Sequence, residues 1–189
     1  YLGSATSIDG LSDAKSEGDN QFTGSLLIGH QTTGTLNDAT YNTGVGLTAL
    51  DALTTGDYNT AIGYWALSAN TEGTYNTASG GKALRTNTTG DKNTANGYYA
   101  LYSNTTGDYN TASGYAALYA NSTGDNNTAY GYETLKVNTT GTNNTAIGLQ
   151  ALWANTTGSA NTAIGSGVLV KNTTGNYNTA IGLQALYAN

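Results

Sequence analysis

Few side chains in this sequence could do chemistry, and most of those recur at a fixed interval. His30 is the only imidazole, there is no Cys, and no Ser-x-Gly elbow lies beside the histidine. It therefore reads as a surface or cap residue of an irregular first repeat, not as a catalytic base. Asp57, Asp91, Asp108 and Asp125 stand at multiples of seventeen residues. If those residues stack one strand spacing apart, like charges repel by around 1 kcal/mol per neighbour even in water. Calcium between the turns is one remedy, because hard oxygen ligands suit it. The tandem Gly-Gly-x-Gly-x-Asp signature of calcium rolls is absent, however, and Thr74, Thr142, Ser159 and Asn176 take the same place elsewhere. Solvated turn carboxylates are the expectation, with no metal and no cofactor. A glycosidase needs two carboxyl groups facing each other across a cleft. Four of the twelve acids share one turn column, which does not supply that, so no catalytic residue is expected and the chain reads as a non-enzyme.

Recognition fits the aromatic residues better. Tyr98, Tyr99, Tyr102, Tyr115, Tyr119 and Tyr132 cluster on three neighbouring repeats, with Trp65 and Trp153 flanking. Exposed rings among Asn and Thr can stack on sugar faces and exchange hydrogen bonds with hydroxyls. The same rings could instead ladder on one another or pack between chains. Thr-rich composition raises ice binding, which uses flat arrays of outward Thr two residues apart on a strand. Two positions after Thr60 and its equivalents stand Ile62, Ser79, Asn96 or Tyr130, so that plane is broken. Asn87, Asn104, Asn121, Asn138, Asn155 and Asn172 each begin an Asn-x-Ser/Thr glycosylation pattern. Turn chemistry accounts for the same residues without a sugar.

The interval behind these observations is a tandem repeat. Asn42, Asn59, Asn76, Asn93, Asn110, Asn127, Asn144, Asn161 and Asn178 follow one another by seventeen residues. The consensus is N-T-A-I-G-Y-x-A-L-Y-x-N-T-T-G-D-Y, here numbered one to seventeen from the Asn. A unit this short cannot be a helical repeat, which needs about 33 residues or more. Its Gly punctuation and β-branched residues predict one lap of a parallel β-solenoid, with about ten coils from residue 25 to residue 189. A strand is expected around Thr60-Ala61-Ile62-Gly63-Tyr64, and a second short extended stretch around Ala66-Leu67-Ser68. Each coil climbs one strand spacing, about 4.8 Å.

Columns that hold their volume point inward, and columns that vary face solvent. Ala61, Ala78, Ala95, Ala112 and Ala129 make one core column, and Leu67, Leu84, Leu101, Leu118 and Leu135 another. Positions four and ten vary and are expected outside. Two Ala and one Leu per coil make a thin interior, against about 1–2 kcal/mol of backbone entropy for each ordered residue. Association of chains along the rod, most simply as a parallel homotrimer, would add the missing burial. Residues 1–24 lie outside the register and read as a linker or adaptor. The unfinished coil at Asn189 reads as continuing into a further domain or stacking end to end as a filament subunit.

Composition narrows the partners. Six Lys+Arg against twelve Asp+Glu give a net charge of −6, which disfavours nucleic acid. No run approaches the roughly 18 apolar residues of a membrane span. Thr, Asn and Gly make up 83 of 189 residues, which alone would suggest disorder, but 15 Tyr and regularly spaced Leu argue for a packed fold.

The core Asn59-Thr60-Ala61-Ile62-Gly63 resembles the head repeats of trimeric autotransporter adhesins, which form trimeric left-handed β-rolls. The full seventeen-residue unit is closer still to repeats in bacteriophage tail-fibre proteins, and Ser25-Leu26-Leu27-Ile28-Gly29-His30-Gln31-Thr32-Thr33-Gly34 resembles marine phage fibre sequences. The likeness spans residues 25–189. It implies an extracellular shaft or head that binds, or presents a surface for, host carbohydrate. An ice-binding solenoid and a self-assembling filament are the alternative readings.

Overall fold

A computed structural model of the chain describes residues 14–15, 26–28 and 39–188. His30 and most of residues 1–24 lie outside them. The described residues form a single sheet in chain order. Its strands are β1 (Ala14–Lys15), β2 (Leu26–Ile28), β3 (Thr43–Val45), β4 (Thr60–Ile62), β5 (Thr77–Ser79) and β6 (Thr94–Asn96), followed by β7 (Thr111–Ser113), β8 (Thr128–Tyr130), β9 (Thr145–Ile147), β10 (Thr162–Ile164) and β11 (Thr179–Ile181). From β2 onward every pairing is parallel and in register, and from β4 onward Thr lies on Thr and Ala on Ala, as in Thr60↔Thr77 and Ala61↔Ala78. One repeat is thus one lap of an all-β parallel solenoid. β1 lies antiparallel against β2, through Ala14↔Ile28 and Lys15↔Leu27.

Each strand is only three residues long, and the glycine that follows explains why. Gly97 has φ +136, and a Cβ there would lie 2.5 Å from the carbonyl oxygen of Gly114. No side chain can occupy that position, so the chain turns at the same place in every coil.

The second extended stretch does not form; a turn segment runs there instead. Ala66 and Leu67 are both fully buried, which a strand forbids because its successive side chains point to opposite faces. The backbone meets the demand by left-handed conformations at Trp65 (φ 60) and Leu67 (φ 50). A left-handed residue costs roughly 1–2 kcal/mol. Hydrogen bonds to both neighbouring coils offset it, Trp65 N–H to the Leu47 carbonyl at 3.1 Å and Leu67 N–H to the Ala83 carbonyl at 3.0 Å.

The interior holds the expected Ala and Leu columns, with a second Ala column at position eight, all essentially without exposure. It also holds two columns of Asn, at positions one and twelve, equally buried. Asn76 donates its backbone N–H to the side-chain oxygen of Asn59 at 2.9 Å and its amide to the Gly90 carbonyl at 2.8 Å. In the second column Asn104 donates to the Asn87 side-chain oxygen at 2.8 Å and to the Gly107 carbonyl at 2.9 Å. The core of one chain therefore holds two Asn beside two Ala and one Leu in a typical coil, is internally satisfied, and is less thin than Ala and Leu alone implied.

Candidate functional site

The outer surface carries what chemistry there is. Tyr98, Tyr115 and Tyr132, at position six, are 44%, 44% and 49% exposed. They form a rank beside the strands, with ring centroids 6.2 Å and 5.2 Å apart. Tyr99, Tyr102 and Tyr119 sit on the turn segment just round the corner. Tyr102 and Tyr119 stack at 5.1 Å with planes 2° apart, and Tyr99 meets both edge-on at 5.2 Å and 5.7 Å. Tyr98 joins the two ranks by an edge contact of 4.2 Å with Tyr99. All six tyrosines singled out from the sequence are thus brought together, laddered on one another while part of each rank still faces solvent.

Two cations that the sequence reading passed over lie inside this cluster. The Lys82 ammonium donates to the Tyr99 hydroxyl at 2.9 Å and lies 4.9 Å from that ring and 5.7 Å from Trp65. The Arg85 guanidinium lies 3.9 Å from the Trp65 ring centre and donates to the Tyr102 hydroxyl. Trp65 in turn stacks on Tyr64 at 4.8 Å. The Lys82 hydrogen bond holds the Tyr99 phenol below its ordinary range, and the same bond raises Lys82. Both cations occupy variable positions, seven and ten, one coil from the aromatics at those positions. That adjacency along a column was the signal available.

A third aromatic stack runs along position seventeen: Tyr41, Tyr58 and Tyr75 follow one another at 4.8 Å and 4.9 Å. Farther along the same column, the Lys92 ammonium donates to the Tyr109 hydroxyl at 2.7 Å. These spacings match the rise expected of one strand per coil.

The aspartate column has its own explanation. The Asp91 carboxylate accepts the backbone N–H of Thr74 at 2.7 Å, Asp108 that of Asp91 at 2.7 Å, and Asp125 that of Asp108 at 2.8 Å. Asp57 accepts from Thr40 in the same way at 2.6 Å. Each carboxylate therefore ties its coil to the one before, and these charge-assisted bonds offset the repulsion along the column. Among the described residues no group of three His, Cys, Asp or Glu is placed to hold a metal ion. The Asn of the glycosylation pattern are buried in the second ladder. Their side-chain amides hydrogen-bond inside the folded rod, where no glycan could be attached.

No family model, no curated protein and no solved structure matches this chain.

Proposed function

We propose that this chain is a shaft or head segment of an extracellular fibre, of the viral tail or bacterial surface type that its repeat resembles. Its work is mechanical, and its turn-segment aromatics bind carbohydrate on a host surface. The observation that carries this reading is the tyrosine cluster, exposed at Tyr98, Tyr115 and Tyr132 and half-buried at Tyr99, Tyr102 and Tyr119, on a stack whose register is unbroken from Thr43 to Ile181. A ladder of like coils is stiff because many backbone groups in each coil bond to the coils above and below. It offers a protease few free loops.

Copies of the chain associate, in this reading as a parallel homotrimer, through the outer face of the sheet. Positions two, four and six, from Thr43 to Leu183, carry no Asp, Glu, Lys or Arg. They expose Ile62, Tyr64, Tyr130, Ile147 and Leu149, among others. Chains of net charge −6 repel one another, so a face free of charge and rich in exposed apolar groups is where copies can meet. Tyr98, Tyr115 and Tyr132 then pack between chains, leaving Tyr99, Tyr102 and Tyr119 for the ligand.

Light scattering tests the assembly: a mass near three times the 19.3 kDa of the chain supports it, and a monomer refutes it. A glycan array tests the ligand. Tyr102→Ala and Tyr119→Ala are expected to lose the binding of the parent chain, and binding equal to the parent would make the cluster merely structural. The ice-binding alternative rests on the outward Thr column from Thr43 to Thr179. The bulky groups at position four interrupt that plane, and no thermal hysteresis is expected.

A further inference from the structure

We propose that Lys82 and Arg85, held among Trp65, Tyr98, Tyr99 and Tyr102, form a subsite for an acidic saccharide, one that carries a carboxylate or sulfate group. The proposal rests on the carbohydrate reading above and narrows its ligand class.

Three observations carry it. First, both cations lie in the same coil between aromatic layers, with Trp65 on one side and Tyr99 and Tyr102 on the other. Ring edges and hydroxyls that can meet a sugar and cations that can meet its acid group are therefore within one coil spacing of each other. Second, neither cation is neutralised: among the described residues no carboxylate lies within ion-pairing distance of either, whereas Lys136 is paired with Glu133 at 2.6 Å. In a chain with twice as many acidic as basic residues, leaving two adjacent cations without an acid is a local reversal of the overall field. Third, each cation has donors to spare. Lys82 commits one N–H to Tyr99 and Arg85 one to Tyr102, leaving two on the ammonium and most of the guanidinium fork. Those bonds and the ring contacts fix the cations in place, so little side-chain freedom is lost when an anion binds. Charge-assisted hydrogen bonds are roughly twice as strong as neutral ones, and they set the preference for an acidic sugar over its neutral counterpart.

Nucleic acid also combines anion and ring, but two cations on an acidic chain neutralise few phosphates. The saccharide is the ligand the patch favours.

The test is calorimetric titration of the intact chain with matched ligands that differ only in charge. The pairs are oligogalacturonate and its methyl ester, sulfated carrageenan fragments and their desulfated form, and sialyllactose and its methyl ester; oligo(dT) is included as a separate probe. The expected result is binding of at least one acidic member about tenfold tighter than its neutral partner. That preference should fall away in the Lys82→Gln/Arg85→Gln double variant and weaken at high salt, while Lys171→Gln, remote from the cluster, leaves it intact. Arg85→Gln alone serves if the double variant loses its β-sheet circular dichroism. Equal binding of acidic and neutral members, unchanged by the substitutions, overturns the acidic subsite and leaves the carbohydrate reading standing. Binding of no sugar overturns both. Tighter binding of oligo(dT) than of any sugar overturns both as well.

Discussion

A polar residue can be a core residue when its partners repeat with it, and Asn104 is the plainest case. Its side chain donates to Asn87 and Gly107 and accepts from Asn121, all in a site without exposure. Asn104→Ala leaves the Asn121 amide and the Gly107 carbonyl short of a partner. Urea unfolding is expected to show a loss of about 1–3 kcal/mol. An effect within error would mean that the ladder contributes nothing net. Ala160 illustrates the opposite situation. It holds φ 56 at position seventeen, where Ala pays for a left-handed backbone and Asn is tolerated. Asn126 and Asn143 occupy the same position in neighbouring coils with φ 56 and 57. Ala160→Asn is expected to raise stability by up to about 1 kcal/mol; a lower thermal midpoint would contradict that. At the surface, Tyr99 titrates below an ordinary phenol mainly because the Lys82 ammonium hydrogen-bonds to it. In Lys82→Gln the 295 nm phenolate absorbance should therefore develop at higher pH than in the parent chain. An unchanged curve would show that the hydrogen bond is not made in solution.

At the scale of the coil, sequence and structure agree where a column is uniform and part where chemistry is shared between columns. Ala61 and Leu67 were legible as core because their columns scarcely vary from Thr60 onward, and the variable position four was legible as outer, whereas position ten is half-buried from Asp51 to Val170. Asn59 and Asn87 were visible as markers, yet their burial was not. A buried Asn is costly unless every partner is present, and the partners are carbonyls of glycines fourteen or three residues along the chain, which no column comparison displays. The same holds for Gly107. Its importance lies not in a left-handed φ but in space, since a Cβ would lie 2.6 Å from the Asn104 side-chain oxygen and 2.6 Å from the Gly124 carbonyl. Gly107→Ala must displace the ladder and the neighbouring backbone together. It is expected to lower the urea midpoint more than Asn104→Ala does, and a smaller effect would place the rigidity elsewhere. Ala66-Leu67-Ser68 suggests a short extended stretch because of its apolar run, and only burial of both Ala66 and Leu67 forces the left-handed backbone of the turn segment. At the candidate site the tyrosines were legible by type. Lys82 and Arg85 were not, because their relation to Trp65 and Tyr99 exists only after coils are stacked.

The whole molecule behaves as a one-dimensional array, in which each coil contacts chiefly its neighbours. Residues 127–143 form one full period, containing β8 and the Glu133–Lys136 pair. Removing those seventeen residues brings Asn110 over Asn144 and Ala112 over Ala146, so both Asn ladders and the Ala column close again without a mismatch. The shortened chain should fold, keep its β-sheet circular dichroism, and lose roughly a tenth of its urea m-value, in proportion to the surface it no longer buries. Removing residues 127–142 takes away only one residue fewer, yet it sets the later coils one place out of column with the earlier ones, while Asn144, Asn161 and Asn178 stay seventeen residues apart. At the junction Asn144 would fall over Thr111 and Thr145 over Ala112, so the Ala column and the Asn ladder are interrupted there. A one-residue slip of this kind sets inside against outside where the two strands meet. Hydrogen exchange should find the coils on either side of the junction less protected than in the seventeen-residue deletion, while coils farther away stay closed. Equal protection in the two deletions would mean that the columns do not hold the rod together. The contrast between removing sixteen and seventeen residues thus isolates register from length, the property on which both the stiffness of the shaft and the stacking of Lys82 between Trp65 and Tyr99 depend.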